Sequence, residues 1–369
     1  MQRALELAEL GAGFVQPNPL VGAVIVKDGR IISEGYHHLY GGSHAEIDAF
    51  NNAKEDVAGA TMYVTLEPCS HFGKTPPCSH AIVKMGIKRV VVSILDPNPL
   101  VAGKGIEYLQ NAGIEVECGI LEDEAKKQNE VFLKYITKKK PFVIMKSAMT
   151  LDGKIASNTL SSKWVTGKTA REYVHELRHR VSSIMVGIGT VLADDPSLTT
   201  RRNHGVGRDP IRIIVDSHAR IPETAKLLNQ NSDAQTIIAV TEMAEAEKLK
   251  RLESLGAIII RVPSKDQRVD LKALMTELGK REIDSILLEG GSELNFAALE
   301  ADLVDKILIF IANKIIGGNS AKTPVGGLGI SEMSDAIPLD FSSVRKLGDD
   351  LLIEAYIRKE FGKDVHRTG

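Results

Sequence analysis

Four residues in the first quarter of the chain can together hold a metal ion and move a proton. His44 and Glu46 stand two apart in Ser43-His44-Ala45-Glu46, Cys69 follows Glu67-Pro68, and Cys78 comes nine positions later. One imidazole and two thiols suit a tetrahedral zinc ion whose fourth position is left to water. Zinc lowers the pKa of such a water towards neutrality and makes hydroxide available. The order H-x-E…P-C…C is the one used for hydrolytic removal of an amine from a base. In it the glutamate does not touch the metal and carries a proton from water to the departing amine. His44, Cys69 and Cys78 are thus the candidate ligands of one zinc per chain, and Glu46 the candidate proton carrier.

Eight residues, Ser70 to Pro77, separate the two cysteines, where the common deaminase pattern has two. Such spacing requires a loop that returns the chain to the metal, and Gly73 with Pro76-Pro77 suits that turn. Blander accounts exist for each residue alone. Ser43-His44-Ala45-Glu46 also matches a capping box, with Ser at the N-cap and Glu at the third helical position. Cys69 and Cys78 singly would be core cysteines. His71 could close the sphere as a fourth ligand and make the zinc structural. Order, the proline before Cys69 and placement after a strand favour the catalytic account. Cys118, with no partner pattern, reads as a packed residue of a strand.

A second metal-like pattern is His175-Glu176-Leu177-Arg178-His179, which fits H-E-x-x-H on a predicted helix. Its two imidazoles would share one helix face. Three fixed positions arise readily by chance, no clear third ligand follows, and Arg178 would bring positive charge to the cation. The zinc-protease reading is therefore set aside.

The elements that must position these groups alternate between strand and helix patterns. Val21 to Lys27 and Arg30 to Tyr36 flank Asp28-Gly29, a strong hairpin signal. Helical patterns cover Ser43 to Glu55, Ser79 to Met85, Ile106 to Ala112 and a closing stretch from Glu122 to Tyr135. Strand patterns cover Met62 to Leu66, Arg89 to Leu95 and Ile114 to Cys118. Lys138-Lys139-Lys140-Pro141 then stops the helix and reads as a linker, dividing the chain into domains 1–140 and 141–369. The second half places strands at Phe142–Met149, Ser183–Ile188, Ile211–Asp216, Thr236–Val240, Ala257–Arg261, Ser285–Glu289 and Lys306–Ala312, with helices between several of them. That rhythm implies an α/β fold with an open, largely parallel sheet. No G-x-G-x-x-G follows a strand, so a Rossmann fingerprint is absent.

With these elements laid out, the chain resembles the bifunctional riboflavin-biosynthesis deaminase/reductase family along nearly its whole length. The carrying segments are Asn18-Pro19-Leu20-Val21-Gly22-Ala23-Val24, His44-Ala45-Glu46, Thr65-Leu66-Glu67-Pro68-Cys69-Ser70-His71, Gly73-Lys74-Thr75-Pro76-Pro77-Cys78 and Asp96-Pro97-Asn98-Pro99. The second half adds Leu151-Asp152-Gly153-Lys154, Ala193-Asp194-Asp195-Pro196 and Glu289-Gly290-Gly291. The long cysteine spacing is also that family's. The resemblance implies a cytidine-deaminase-like α/β/α sandwich followed by a dihydrofolate-reductase-like α/β domain. It implies deamination of 2,5-diamino-6-ribosylamino-4(3H)-pyrimidinone 5′-phosphate and then NADPH-dependent reduction of ribosyl to ribityl.

Carried over by the resemblance, Asn18, His37, Lys74, Asp96 and Asn98 contact the pyrimidine ribotide in the first domain. In the second, Ser162, Arg178, Leu198, Arg201 and Glu289 bind the sugar substrate, and Ala148, Trp164, Thr190, Asp194, Gly291 and Ser292 bind NADPH. Lys146 is a hypothetical proton donor to the opening ribose ring. Chemistry makes these roles reasonable. Asn and Asp pair donors with acceptors, lysine meets phosphate as a point charge, and the guanidinium fork binds phosphate bidentately. Gly290-Gly291-Ser292 ends a strand and opens a helix, where free N–H groups suit a pyrophosphate. Asp152-Gly153 beside Lys154 also reads as a plain turn.

Composition narrows the alternatives. Net charge is −2 and aromatic content 5%, which disfavours a nucleic-acid deaminase with a basic, aromatic-lined track. No apolar run approaches the roughly 20 residues of a membrane span, and the N-terminus reads as an amphipathic helix and not a signal peptide. Three cysteines make a disulfide framework improbable and favour a reducing cytoplasm. The expected partner is a small molecule, with neither nucleic acid nor membrane, and the resemblance implies a homo-oligomer.

Overall fold

The computed structural model describes residues 1–70, 77–98, 102–159 and 161–358. The chain divides into two compact units. One comprises Met1–Pro141 with Gly279–Asp284, the other Phe142–Leu278 and everything from Ser285 onward.

The first unit begins with α1 (Gln2–Glu9) and the hairpin β1 (Gly22–Lys27) and β2 (Arg30–Tyr36). Asp28 and Gly29 both take positive φ, 50° and 74°, the backbone a two-residue turn needs to match strand twist. There follow α2 (Ala45–Asn52), β3 (Thr61–Leu66), α3 (Cys78–Lys84), β4 (Arg89–Ile94), α4 (Lys104–Asn111), β5 (Glu115–Cys118), α5 (Glu122–Gln128) and α6 (Glu130–Lys138). The sheet order is β2-β1-β3-β4-β5. β1 runs antiparallel to β2 and β3, while β3, β4 and β5 are mutually parallel. Its core is apolar, with Ile25, Met62, Val64, Ile82, Val90 and Leu109 fully buried. Gly35 lets α2 lie flat on β2, since a Cβ there would stand 2.2 Å from the Ala49 nitrogen.

Three expectations change here. The helix expected from Ser43 starts at Ala45 and ends at Asn52. The single closing helix is two helices, broken at Asn129. The side chain of Asn129 accepts the Leu20 N–H at 2.8 Å and donates to the Leu20 oxygen at 2.9 Å, so this buried amide serves the strand β1 approach. Cys118 is exposed, because β5 lies at the sheet edge and its last residue has no covering layer.

The second unit contains β6 (Phe142–Thr150), α7 (Lys168–Arg180), β7 (Ser183–Gly187), α8 (Ile188–Asp194), β8 (Ile211–Val215), α9 (Lys226–Asn229), β9 (Thr236–Val240), α10 (Ala246–Ser254) and β10 (Ala257–Arg261). A small hairpin, β11 (Ser264–Lys265) and β12 (Arg268–Val269), precedes α11 (Leu271–Lys280), β13 (Ser285–Leu288), α12 (Ser292–Glu300), β14 (Lys306–Ala312), β15 (Leu339–Leu347) and β16 (Asp350–Ile357). The large sheet has the order β10-β9-β8-β7-β13-β6-β14-β16-β15. It is parallel from β10 to β14 and closes with an antiparallel hairpin, β15 and β16. That hairpin escapes sequence reading because most of β15 is exposed, so no apolar alternation marks it. Among the described residues no helix is long and apolar enough to cross a membrane.

Candidate active sites

Three chain segments converge in the first unit. β3 runs out into Glu67-Pro68-Cys69, Cys78 opens α3, and His44 is the N-cap of α2. The ligating atoms of His44, Cys69 and Cys78 lie within 4.8 Å of one another, and this is the one such cluster among the described residues. His44 Nδ1 is 3.6 Å from Cys69 Sγ and 3.3 Å from Cys78 Sγ. With metal–sulfur bonds of about 2.3 Å, tetrahedral zinc sets its ligand atoms roughly 3.5–3.8 Å apart, so the donor set fits. The Cys78 N–H also donates to Cys69 Sγ at 3.3 Å. Hydrogen bonds with Cys78 and then with His44 pull the Cys69 thiol far below its usual range, towards the thiolate a metal requires.

Glu46 lies beside this cluster in the first turn of α2 and is 3% exposed. Burial raises its carboxyl to about 7, with His44 pulling the other way. The capping-box alternative is not realised. His44 itself is the N-cap, no side chain caps the helix, and Glu46 occupies the second helical position. Its carboxyl is therefore left for the cluster.

Asn18 and His37 form a short chain next to His44. Asn18 Nδ2 donates to His37 Nε2 at 3.1 Å, and His37 Nδ1 donates to the Ser43 oxygen at 2.9 Å. Burial lowers the His37 pKa, consistent with a neutral ring whose tautomer these two bonds set. Asp96 and Asn98 sit just past β4, where Asp96 Oδ1 accepts the Asn98 N–H at 2.8 Å. Lys74 and His71 lie outside the described residues.

Sequence reasoning quoted Glu67 without giving it a role. It is 3% exposed and accepts N–H groups from Asp96 at 3.2 Å, Gly103 at 3.0 Å and Gly105 at 2.9 Å. It thus ties the Asp96–Asn98 segment and the start of α4 to the strand that carries Cys69. Gly105 permits the close approach, since a Cβ there would stand 2.1 Å from the Pro68 oxygen. A carboxylate preceding Pro-Cys was the available signal, but nothing in the sequence reveals that distant N–H groups converge on it.

The second unit holds a cleft of about 1520 Å³ along the ends of its parallel strands, the usual ligand edge of such sheets. All twelve residues assigned to this half by resemblance line it: Lys146, Ala148, Ser162, Trp164, Arg178 and Thr190 on one stretch of chain, Asp194, Leu198, Arg201, Glu289, Gly291 and Ser292 on the next. Arg178 grips Glu289 with two hydrogen bonds, 3.0 and 2.9 Å. Lys146 Nζ is 3.9 Å from Glu289 Oε2. Burial alone would raise the Glu289 carboxyl, but Arg178 and Lys146 hold it down at about 2. Burial lowers the Lys146 pKa, with Glu289 opposing.

The far side of the cleft is built from backbone. Gly291 is the N-cap of α12, with no side-chain cap, so the first N–H groups of that helix remain for a ligand. Thr190 and Asp194 lie on α8, and Ser162 Oγ donates to Asp194 Oδ1 at 3.3 Å. The Arg171 guanidinium covers the Trp164 ring at 4.7 Å. Leu198 is buried at φ 52°, a left-handed backbone that costs on the order of 1–2 kcal/mol for a non-glycine residue. Asp152-Gly153 does turn the chain: Thr150 Oγ1 accepts the Lys154 N–H at 3.0 Å, and Asp152 accepts the Gly317 N–H at 2.7 Å.

The H-E-x-x-H pattern has another use. His175 Nδ1 accepts the Arg201 N–H at 3.2 Å and His179 Nδ1 the Arg208 N–H at 3.1 Å. Both rings face the returning chain, and neither belongs to a metal cluster among the described residues.

Two family models match the chain, one in each half. Residues 1–94 match the cytidine and deoxycytidylate deaminase zinc-binding region, and residues 141–353 the RibD C-terminal domain. The chain is 47% identical to riboflavin biosynthesis protein RibD of Actinobacillus pleuropneumoniae, over 96% of this chain and 93% of that one. It is 40% identical to the Escherichia coli protein of the same name, over 96% and 97%. Among solved structures it resembles the Thermotoga maritima diaminohydroxyphosphoribosylaminopyrimidine deaminase/5-amino-6-(5-phosphoribosylamino)uracil reductase, with 41% identity, TM-score 0.85 and 97% of each chain covered. Acinetobacter baumannii RibD gives 39% identity and TM-score 0.87, covering 97% of this chain and 98% of that one.

Proposed function

Because the chain belongs to the RibD family and is a bifunctional deaminase and reductase of riboflavin biosynthesis, we propose how its two sets of residues divide the work. The observation that carries the proposal is that each unit holds its own set of groups: His44, Cys69 and Cys78 beside buried Glu46 in one, Lys146, Arg178 and Glu289 in one cleft of the other.

In the first unit His44, Cys69 and Cys78 hold zinc, which when bound lowers the pKa of water. The pyrimidine of 2,5-diamino-6-ribosylamino-4(3H)-pyrimidinone 5′-phosphate is held by Asn18, His37, Asp96 and Asn98, and Lys74 meets its phosphate. Glu46 takes the proton from the attacking water and passes it to the amine. The new C–O bond forms, the C–N bond breaks, and ammonia leaves. In the second unit Arg178 and Arg201 hold the phosphate, while Ser162, Leu198 and Glu289 border the sugar. Lys146 gives a proton to the ring oxygen as the ribose opens. NADPH, when bound, supplies the hydride. Ala148, Trp164, Thr190, Asp194 and the Gly291-Ser292 helix start would hold it. Arg220 and Arg268 also line the cleft beyond β8 and suit a 2′-phosphate, which favours NADPH over NADH.

The direct test supplies the diamino ribotide and follows ammonia, then dinucleotide oxidation. Protein stripped of zinc by a chelator should release no ammonia yet still reduce supplied deaminated intermediate. Ammonia release from fully stripped protein would overturn the zinc assignment. NADH oxidised as well as NADPH would overturn the dinucleotide assignment.

A homo-oligomer is supported by β15, an edge strand that exposes Phe341 (69%) and Val344 (62%). Unprotected apolar edges are normally covered. Phe341→Asp combined with Val344→Asp should sediment as a monomer where the unaltered protein does not. A monomeric unaltered protein would end this reading. A cytoplasmic setting fits a site that needs two reduced cysteines.

A further inference from the structure

His175 is the one cleft-lining residue of the H-E-x-x-H pattern besides Glu289's partner Arg178, one helical turn away on α7. Its ring nitrogen takes the Arg201 N–H. Arg178, from the same helix, donates to the Thr199 oxygen at 3.0 Å while gripping Glu289. Two side chains of α7 therefore hold successive peptide groups of one short segment, and that segment carries Leu198 and Arg201 into the cleft.

We infer that His175 is a positioning residue of the reductase, which pins the Leu198–Arg201 segment to α7 so that Arg201 and Arg178 converge on one phosphate. The inference rests on the proposed phosphate seat and adds a residue that the resemblance did not supply. Charge supports it. Burial, with Arg178 and Arg201 beside it, lowers the His175 pKa to about 4, against the opposing pull of Glu289 and of a backbone hydrogen bond with Thr199. A neutral ring can present an unprotonated Nδ1 to the Arg201 N–H, as an imidazolium could not. It also adds no positive charge where two guanidinium groups already repel. His179 performs the same backbone service for Arg208 but is 2% exposed and does not line the cleft. It therefore serves as an internal control.

The test compares His175→Leu, which removes the acceptor, with His175→Asn, whose Oδ1 can take the place of Nδ1. The substrate is 5-amino-6-(5-phosphoribosylamino)uracil, used beside its dephosphorylated riboside. Loss of the hydrogen bond that sets Arg201 should raise KM of His175→Leu for the phosphorylated substrate about tenfold. The kcat and the dissociation constant of NADPH should stay within about threefold. His175→Asn should recover most of the loss, and the riboside should show no penalty. Adding His175→Leu to Arg201→Ala should cost nothing more, since both act through one contact. His179→Leu should lower Tm without changing KM.

An Arg201→Ala variant with raised KM beside an unaltered His175→Leu would overturn the inference and leave the phosphate seat standing. An equal penalty on the riboside would also overturn it. If Arg201→Ala itself left KM unchanged, the seat would fall and the inference with it.

Discussion

Glu46→Gln should lose ammonia release by about 10²–10⁴-fold, the usual worth of a positioned proton carrier, and should still reduce the deaminated intermediate. The substitution keeps the size of a residue that is 3% exposed, so packing around the start of α2 should survive. It removes the only property the proposed reaction asks of the side chain, which is to take a proton and give it back. An amide can hold water in place but cannot relay its proton. Zinc content should stay unchanged, because His44, Cys69 and Cys78 form the cluster without Glu46. Reduction is the internal control, since every residue proposed for it lies in the second unit. If ammonia release persisted in this variant, the role of Glu46 would be wrong. If zinc were lost as well, the residue would be serving the metal site and not the proton.

The second large effect concerns Lys146. Lys146→Met should lower reduction by about 10²–10⁴-fold while leaving ammonia release and NADPH binding unchanged. Methionine keeps much of the lysine stem and lacks a donor. The fold should tolerate it because Glu289 keeps its two bonds from Arg178. The contrast is Glu289→Ala, which would strand a buried guanidinium, a change that typically costs about 3–5 kcal/mol. Burial of Lys146 lowers its pKa, which brings a proton donor nearer to working pH than a surface lysine. A Lys146→Met variant that reduces at the normal rate would remove the residue from the mechanism and leave the cleft assignment intact.

How much of this was legible in the chain differs between the two sites. His44, Glu46, Cys69 and Cys78 stand out in the chain because the proposed metal ligation restricts residue type and order, and few other causes produce that conjunction. The capping-box alternative for Glu46 could be removed only by seeing that α2 starts one residue later. Glu67 was passed over because its partners are N–H groups at Asp96, Gly103 and Gly105, which any residue type supplies. The closing helix reads as continuous in the sequence because the bond Asn129 makes at its break is to Leu20, more than a hundred positions away. In the second half, residues scattered from Lys146 to Ser292 have no local spacing to betray them. Resemblance named them, and the sheet brings them to one cleft.

By itself the sequence marked the candidate zinc set, the hairpin at Asp28-Gly29 and the alternation of strands and helices. All three are set by local covalent constraints: ligand type, backbone dihedral preference and side-chain period. The tertiary structure alone decided which long-range partners the polar groups find. It gave Glu67 its loop and turned the two histidines of H-E-x-x-H towards Arg201 and Arg208 instead of a metal. It also gave Glu289 the cations that hold it ionised in a buried place. Such pairings depend on where the strands of a sheet deliver distant segments, and no spacing along the chain encodes that distance.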